Sequence, residues 1–252
     1  MGMNTAVRAE RTREVSPLVN ARLAGIFYLL AGTTSAFGEF IVLGRLVVPS
    51  DAAATANHIV VNEPFYWLGF AAALLAVACH IAWAVLFYGL FRPVNRSLSL
   101  LAAIFLVVGC ATLALCAFLQ LAPMVILRAG GYLSVFTGSQ LQALALLFLN
   151  LNAQCYNIFL VFFGFYLVVI GYLVVRSTFM PGILGVLYAL AGLGYLTYLV
   201  PPIANDIYPI NLAPAGVGEV AMILWLLIVG VNVEQWKKQE RRFAAEAGAG
   251  IL

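Results

Sequence analysis

Three ionisable side chains, Glu39, His80 and Glu219, fall inside stretches that are otherwise apolar. A charge at the centre of a bilayer-spanning helix costs at least about 2.5 to 3.5 kcal/mol for Asp, Lys or Arg. An ionisable group kept there therefore points to proton transfer, to ligand or ion binding, or to a hydrogen bond that ties helices together. Three amides, Asn150, Gln154 and Asn157, lie in the long apolar run Leu141 to Val175 and continue in steps of four and three to Val161, Gly164, Val168 and Gly171. On a helix these residues form one stripe, hydrogen-bonding in one half and small in the other. Carboxamides facing lipid would be unsatisfied, so the stripe is expected to face other helices or a water-filled cavity, with its glycines admitting a close neighbour.

Other chemistries lack their residues. No H-E-x-x-H, Cys/His cluster or clustered carboxylates suggest a metal, and no cofactor is expected. His58 falls in a loop, which leaves His80 without a second intramembrane histidine for a bis-histidine haem. No lysine lies within a span, so a buried Schiff base is excluded, and neither G-x-x-x-x-G-K-[ST] nor G-x-S-x-G occurs. Cys79, Cys110, Cys116 and Cys155 all fall in apolar runs without a C-x-x-C pair and read as small packing residues rather than a redox pair.

The elements that must position these groups follow from composition. Of 252 residues 64% are hydrophobic and 9% charged, against roughly a quarter charged in a soluble chain. The apolar runs are about 20 residues long, enough to cross a hydrocarbon core of about 30 Å. The expected fold is all-α, a polytopic membrane bundle of six transmembrane helices. A polar, flexible leader over 1–21 precedes span one, from Arg22 to Leu43, in which Glu39 shares a face with Tyr28, Gly32, Ser35 and Ala36. The loop from Gly44 to Glu63 contains a short surface helix capped by Ser50 or Asp51. Span two, Pro64 to Phe91, carries His80 on a face of small residues, Gly69, Ala73, Ala76 and Ala84. Span three is Leu98 to Leu127. The central run is longer than one crossing needs, so Leu141 to Leu149 reads as an interfacial segment before a span from Asn150 to Val175. Span five, Ile183 to Val200, stops at Pro201-Pro202. After the loop Ile203 to Pro214, span six, Ala215 to Val233, carries Glu219. A basic tail, 234–252, closes the chain. It reads as a juxtamembrane segment drawn to anionic lipid with Trp236 as interface anchor.

Six spans put both termini on one side. Arg8, Arg11, Arg13, Arg22, Arg92, Arg96, Arg176, Lys237, Lys238, Arg241 and Arg242 then share that side, and Arg45 and Arg128 lie opposite. By the positive-inside rule the termini are cytoplasmic, and the expected location is a bacterial cytoplasmic (inner) membrane. The net charge of +3 is a topology signal; the expected partners are membrane lipids and a small-molecule or ion ligand, with no nucleic acid. Gly25-Ile-Phe-Tyr28-Leu-Leu-Ala31-Gly32 in span one and Gly185-Val-Leu-Tyr188-Ala-Leu-Ala191-Gly192 in span five share the pattern G-x-x-Y-x-L-A-G. The match reflects either a parallel repeat or shared packing demands.

Several stretches together carry a family resemblance: the first span with Glu39, Arg45-Leu-Val-Val-Pro-Ser-Asp-Ala-Ala-Ala-Thr-Ala, Arg92-Pro-Val-Asn-Arg, Leu-Gln-Ala-Leu-Ala-Leu-Leu-Phe-Leu, Phe-Phe-Gly, Pro181-Gly-Ile-Leu-Gly-Val-Leu and Gly218-Glu-Val. Over roughly residues 20–233 the chain resembles a bacterial multi-pass membrane family known as domain of unknown function 4386. The resemblance implies a membrane fold and no activity. In the family's pattern an acidic residue is more usual at the position of His80 and a histidine is often found near Asn152, which implies that the midplane polar group is replaceable in type.

The leading expectation is a helical membrane protein that binds, and moves, a small molecule or ion through an outward-facing polar pocket. Its lining would be Glu39, His80, Asn150, Gln154, Asn157 and Glu219, with a carboxylate or His80 taking up a proton. The alternatives are a membrane-embedded enzyme on a lipid-like substrate, using Glu39 or Glu219 as general acid/base, and a non-catalytic assembly or regulatory subunit.

Overall fold

The computed structural model describes residues 16–128 and 130–249. Six helices are long and apolar enough to cross a membrane, and no strand occurs among the described residues. Helix α1 (Pro17–Ala36) starts on a proline, which has no N–H to leave unpaired in the first turn. It begins five residues before the expected Arg22, and the proposed leader 1–21 lies mostly outside the described residues. Beyond Ala36 the helix widens into a π segment, Phe37–Leu43, and ends with Gly44–Leu46. The surface helix α2 (Ala52–Val61) is capped by Asp51, whose carboxylate accepts from Ala54 N at 2.9 Å. Helix α3 (Glu63–Phe91) follows after a break at Asn62.

Asn95 caps α4 (Arg96–Leu127), accepting from Leu98 N at 2.9 Å. A reciprocal capping box between Thr137 and Gln140 starts α5 (Gly138–Arg176). This helix is 39 residues long and unbroken, so the expected boundary near Asn150 does not exist. At 1.5 Å per residue it reaches about 58 Å, nearly twice a hydrocarbon core. Its first turns stand beyond the bilayer, where α2 packs on them. Helix α6 (Gly182–Leu196) runs on as a tight turn, Thr197–Leu199, before Pro201 opens the short α7 (Pro201–Asp206). Helix α8 (Ala213–Ile228) is the sixth span, and α9 (Val233–Ala249) makes the tail a helix.

Each span packs on the next in sequence, and α8 packs back on α1, closing a ring of six. Small residues set the tightest seam. Gly164 faces Gly192 and Gly171 faces Gly185 across α5 and α6, so close that a Cβ on Gly171 would lie 2.6 Å from the Gly185 carbonyl oxygen. Between α1 and α3, Val42 of the π segment fills the notch at Gly69, where a Cβ would meet Val42 Cγ1 at 2.6 Å. The interior is aromatic: Tyr28, Trp83, Phe87, Tyr166 and Tyr188 are all at most 1% exposed, and Tyr28 stacks on Trp83 with centroids 3.9 Å apart.

On the side of the termini, α9 is tied to the bundle. Trp236 is 8% exposed and its Nε1 donates to Leu90 O at 2.9 Å, while Asn232 N donates to Phe179 O at 3.1 Å. Trp236 is thus a protein lock rather than the membrane anchor the sequence suggests. The docking also places Arg92, Arg176 and the basic residues of α9 on one face, with Arg45 and Arg128 at the other end of their spans.

Candidate functional site

Glu219 is the best-bound of the three ionisable residues. The Tyr28 hydroxyl donates to its Oε2 at 2.8 Å and the Tyr195 hydroxyl to its Oε1 at 2.6 Å. These donors come from α1 and α6, the two helices nearest α8 in space. An interhelical carboxylate in hydrocarbon needs such partners to compensate for lost hydration. Glu219 lies about 14 Å along α8 from Ile228, about half the thickness of a hydrocarbon core of about 30 Å.

His80 comes from α3 and is 3% exposed. Its Nδ1 lies 2.8 Å from the Ala76 carbonyl oxygen. A carbonyl only accepts, so Nδ1 carries the proton, and in the neutral ring Nε2 is an acceptor. The ring meets Phe159 and Phe163 edge-on at 5.6 and 6.0 Å, which fixes its orientation.

Both groups line one partly open cavity of about 170 Å³ walled by α1 with its π segment, α3, α5, α6 and α8. Tyr28, Tyr156, Phe159, Phe163 and Tyr195 supply most of its wall, and Phe40, 63% exposed, stands at its rim. Glu39 lies next door in a space of about 10 Å³, room for about one water. Ser35 and Tyr156 line both spaces. The Ser35 Oγ is buried without a hydrogen-bond partner among the described residues, and Glu39 makes no hydrogen bond or ion pair with them. Glu39 sits in the π segment, the kind of helix widening often found at functional sites. Measured along α1, Tyr28 is about 16 Å from Pro17, Ser35 about 27 Å and Glu39 about 33 Å. The polar groups therefore follow one another in a track along the first span, from the level of Tyr28 toward its end away from Pro17.

The structure does not bring the three amides into this track. Asn150 and Gln154 are exposed and Asn157 is half-buried, and none of them lines either space. Counting from Arg176, Asn157 lies about 28 Å along α5, Gln154 about 33 Å and Asn150 about 39 Å. Gln154 and Asn150 thus lie on the half of α5 far from Arg176 with exposed side chains, and do not enter the bundle interior. The buried amide of α5 is Asn152 instead, which donates to Cys116 O at 2.8 Å. Arg128 pairs with Glu63 rather than with an intramembrane acid.

The sequence pointed to Tyr28 as a neighbour of Glu39 and as the fixed tyrosine of the span-one repeat, and gave no role to Tyr156 or Tyr195. A signal was present for Tyr195: it lies seven residues from Tyr188 on one face of α6, and Tyr188 meets Tyr28 edge-on at 6.2 Å. Of the matching positions in the two G-x-x-Y-x-L-A-G stretches, the tyrosines thus meet in the core, whereas Gly25 packs on Leu226 and Gly185 on Gly171. Among the described residues no three His, Cys, Asp or Glu side chains come together to hold a metal ion, and all four cysteines are free and buried.

A closed ring of six apolar helices around an ionisable, tyrosine-lined cavity defines a multi-pass integral membrane protein. The chain belongs to the DUF4386 family, a domain of unknown function, whose pattern matches residues 23–230. No curated protein and no solved structure matches it.

Proposed function

We propose that the protein binds a small molecule or ion in the cavity beside Glu219 and His80 and carries it across the membrane, with Glu219, Glu39 or His80 exchanging a proton in the coupled step. The observation that carries this reading is that two carboxylates and an imidazole from three separate spans lie along one track through Ser35 and Tyr156. Glu39 makes no hydrogen bond or ion pair among the described residues, which suits a group that bonds a passing ligand or its water.

The charge bias supports cytoplasmic termini in a bacterial inner membrane, which would direct the Glu39 end of the track outward. A cavity of about 170 Å³ is smaller than the ~300 Å³ at which drug-sized ligand sites begin, which favours a small solute over a lipid-like substrate.

The test is solute uptake and thermal stabilisation with purified protein in proteoliposomes and detergent, screening small cations, polar neutrals and anions. Glu219→Gln removes the charge while its amide oxygen still accepts from one tyrosine and its N–H faces the other, and Glu39→Gln removes the charge at the far end. At least one solute should stabilise the wild type by mass action and lose that effect in Glu219→Gln. If every solute that stabilises the wild type stabilises both variants equally, the cavity is not the binding site.

A further inference from the structure

The wall of the cavity says which solute it suits. Six of its twelve lining residues are Phe or Tyr, one is a carboxylate, and none is Lys or Arg. Resting on the reading above that this cavity is the binding site, we infer that its ligand is a small organic ammonium cation. The Glu219 carboxylate is its counter-ion, and the rings of Tyr28, Tyr156, Phe159, Phe163 and Tyr195 surround it.

The rings form a continuous surface. Tyr156 and Phe159 are 5.6 Å apart, Phe159 and Phe163 stack at 5.4 Å, and Phe163 meets Tyr195 at 5.5 Å. Tyr28 is backed by Trp83, stacked at 3.9 Å, so its position is fixed by a ring that lies behind it. A cation within about 6 Å of such rings is attracted by their quadrupoles, most strongly where water is excluded. In a space of about 170 Å³ any occupant is within that reach of several rings.

Charge and size select against other solutes. An anion would meet Glu219, with Glu39 one step further along and no Lys or Arg in the lining to compensate, His80 being uncharged while its Nδ1–H is held by Ala76 O. A hard metal ion takes about six or more close oxygen ligands, whereas most of this wall is carbon. An alkylammonium holds its water weakly and gives up little on entering an aromatic wall. A cavity of about 170 Å³ has room for an organic cation the size of tetramethylammonium. The Glu219 carboxylate keeps free lone pairs after accepting from Tyr28 and Tyr195, since two oxygens offer about four acceptor sites. The unpartnered Ser35 Oγ and the His80 Nε2 acceptor add places for an N–H donor in less substituted amines.

The experiment compares tetramethylammonium with tert-butanol, its neutral counterpart of equal heavy-atom count, and with sodium at matched ionic strength. Binding is read by calorimetry and thermal stabilisation on the purified full chain in lipid nanodiscs. Tetramethylammonium should bind saturably, tert-butanol and sodium at least tenfold more weakly. Glu219→Gln should weaken tetramethylammonium tenfold or more. Tyr156→Phe, which keeps the ring, should stay within about threefold of wild type, while Tyr156→Leu should lose about fivefold or more. Equal binding of tert-butanol, binding of sodium alone, or a Glu219→Gln variant that binds tetramethylammonium unchanged would each overturn the ammonium assignment. In the first two cases the cavity still binds a solute, so the broader reading survives. Failure of all three probes, and of the neutral and anionic solutes in the wider screen, would overturn both.

Discussion

Tyr28 and Glu219 are 191 residues apart in the chain and 2.8 Å apart in the structure, and their hydrogen bond closes the ring between the first span and the last. The tyrosine also stacks on Trp83, so one side chain serves both the core and the carboxylate. Tyr28→Phe keeps the stacking and removes the donor. Interhelical hydrogen bonds in membranes contribute about 0.6 to 2 kcal/mol, and those to charged groups lie toward the upper end. Thermal unfolding in detergent should show Tyr28→Phe and Tyr195→Phe each less stable by about 1 to 2 kcal/mol. The double variant should be worse than their sum, because the last donor to Glu219 is then gone.

The sequence made the spans legible because bilayer crossing demands a continuous apolar stretch, and it made Glu39, His80 and Glu219 legible because each interrupts one. Register along a helix was harder to read. In α5 the hydrophobic run continues well past the bilayer, since α2 covers its outer turns, and nothing in composition marks where lipid ends. Asn150 and Gln154 were therefore drawn inward from a level where they are exposed, while the buried Asn152 between them was passed over. The tyrosines of the cavity were hidden for a different reason: in an apolar run a tyrosine counts as hydrophobic, and only the partner across the ring reveals its hydroxyl at work. Trp236 illustrates the same limit, because the residue type suits both a lipid interface and a protein groove.

The seam between α5 and α6 predicts a sharp size limit. Gly171 and Gly185 approach so closely that a Cβ on Gly171 would lie 2.6 Å from a backbone oxygen and 2.8 Å from Ala189 N. Neither atom can swing aside as a side chain would. Gly171→Ala should force the helices apart and lower stability by about 1 to 3 kcal/mol, the usual range for overpacking, as measured by thermal unfolding in detergent. Gly89→Ala meets no atom within 4 Å and serves as the control that should stay near wild type.

Gly32 separates stability from function. It lines the cavity, yet a Cβ placed there would touch nothing within 4 Å. Ala in place of Gly favours a helix by about 0.8 to 1 kcal/mol, so Gly32→Ala should match or exceed wild type in melting temperature. A larger side chain, in Gly32→Leu, should fill the cavity and reduce solute binding at least tenfold while the protein still folds. Normal binding in Gly32→Leu would place the ligand elsewhere.

The tail gives the last prediction. Lys237, Lys238, Arg241 and Arg242 are exposed on α9, and trypsin needs local unfolding to cleave a docked helix at such sites. Among the contacts that hold α9 down are the buried Trp236 with its bond to Leu90 O, the contact of Gln239 with Thr178, and the Arg92–Glu240 ion pair. Trp236→Phe removes one hydrogen bond and part of the buried ring, a loss of about 1 to 2 kcal/mol. Trp236→Ala removes nearly all the packing, about 3 to 5 kcal/mol by analogy with other buried aromatic truncations. Tryptic cleavage in α9 should accelerate in that order, more than tenfold for Trp236→Ala, with the six-span core left intact on a gel. Because the lock is made to protein atoms, the acceleration should appear equally in detergent and in vesicles of neutral lipid. Were Trp236 a lipid anchor, the wild-type tail would instead be cut rapidly once lipid is removed, and the substitution would make no difference there.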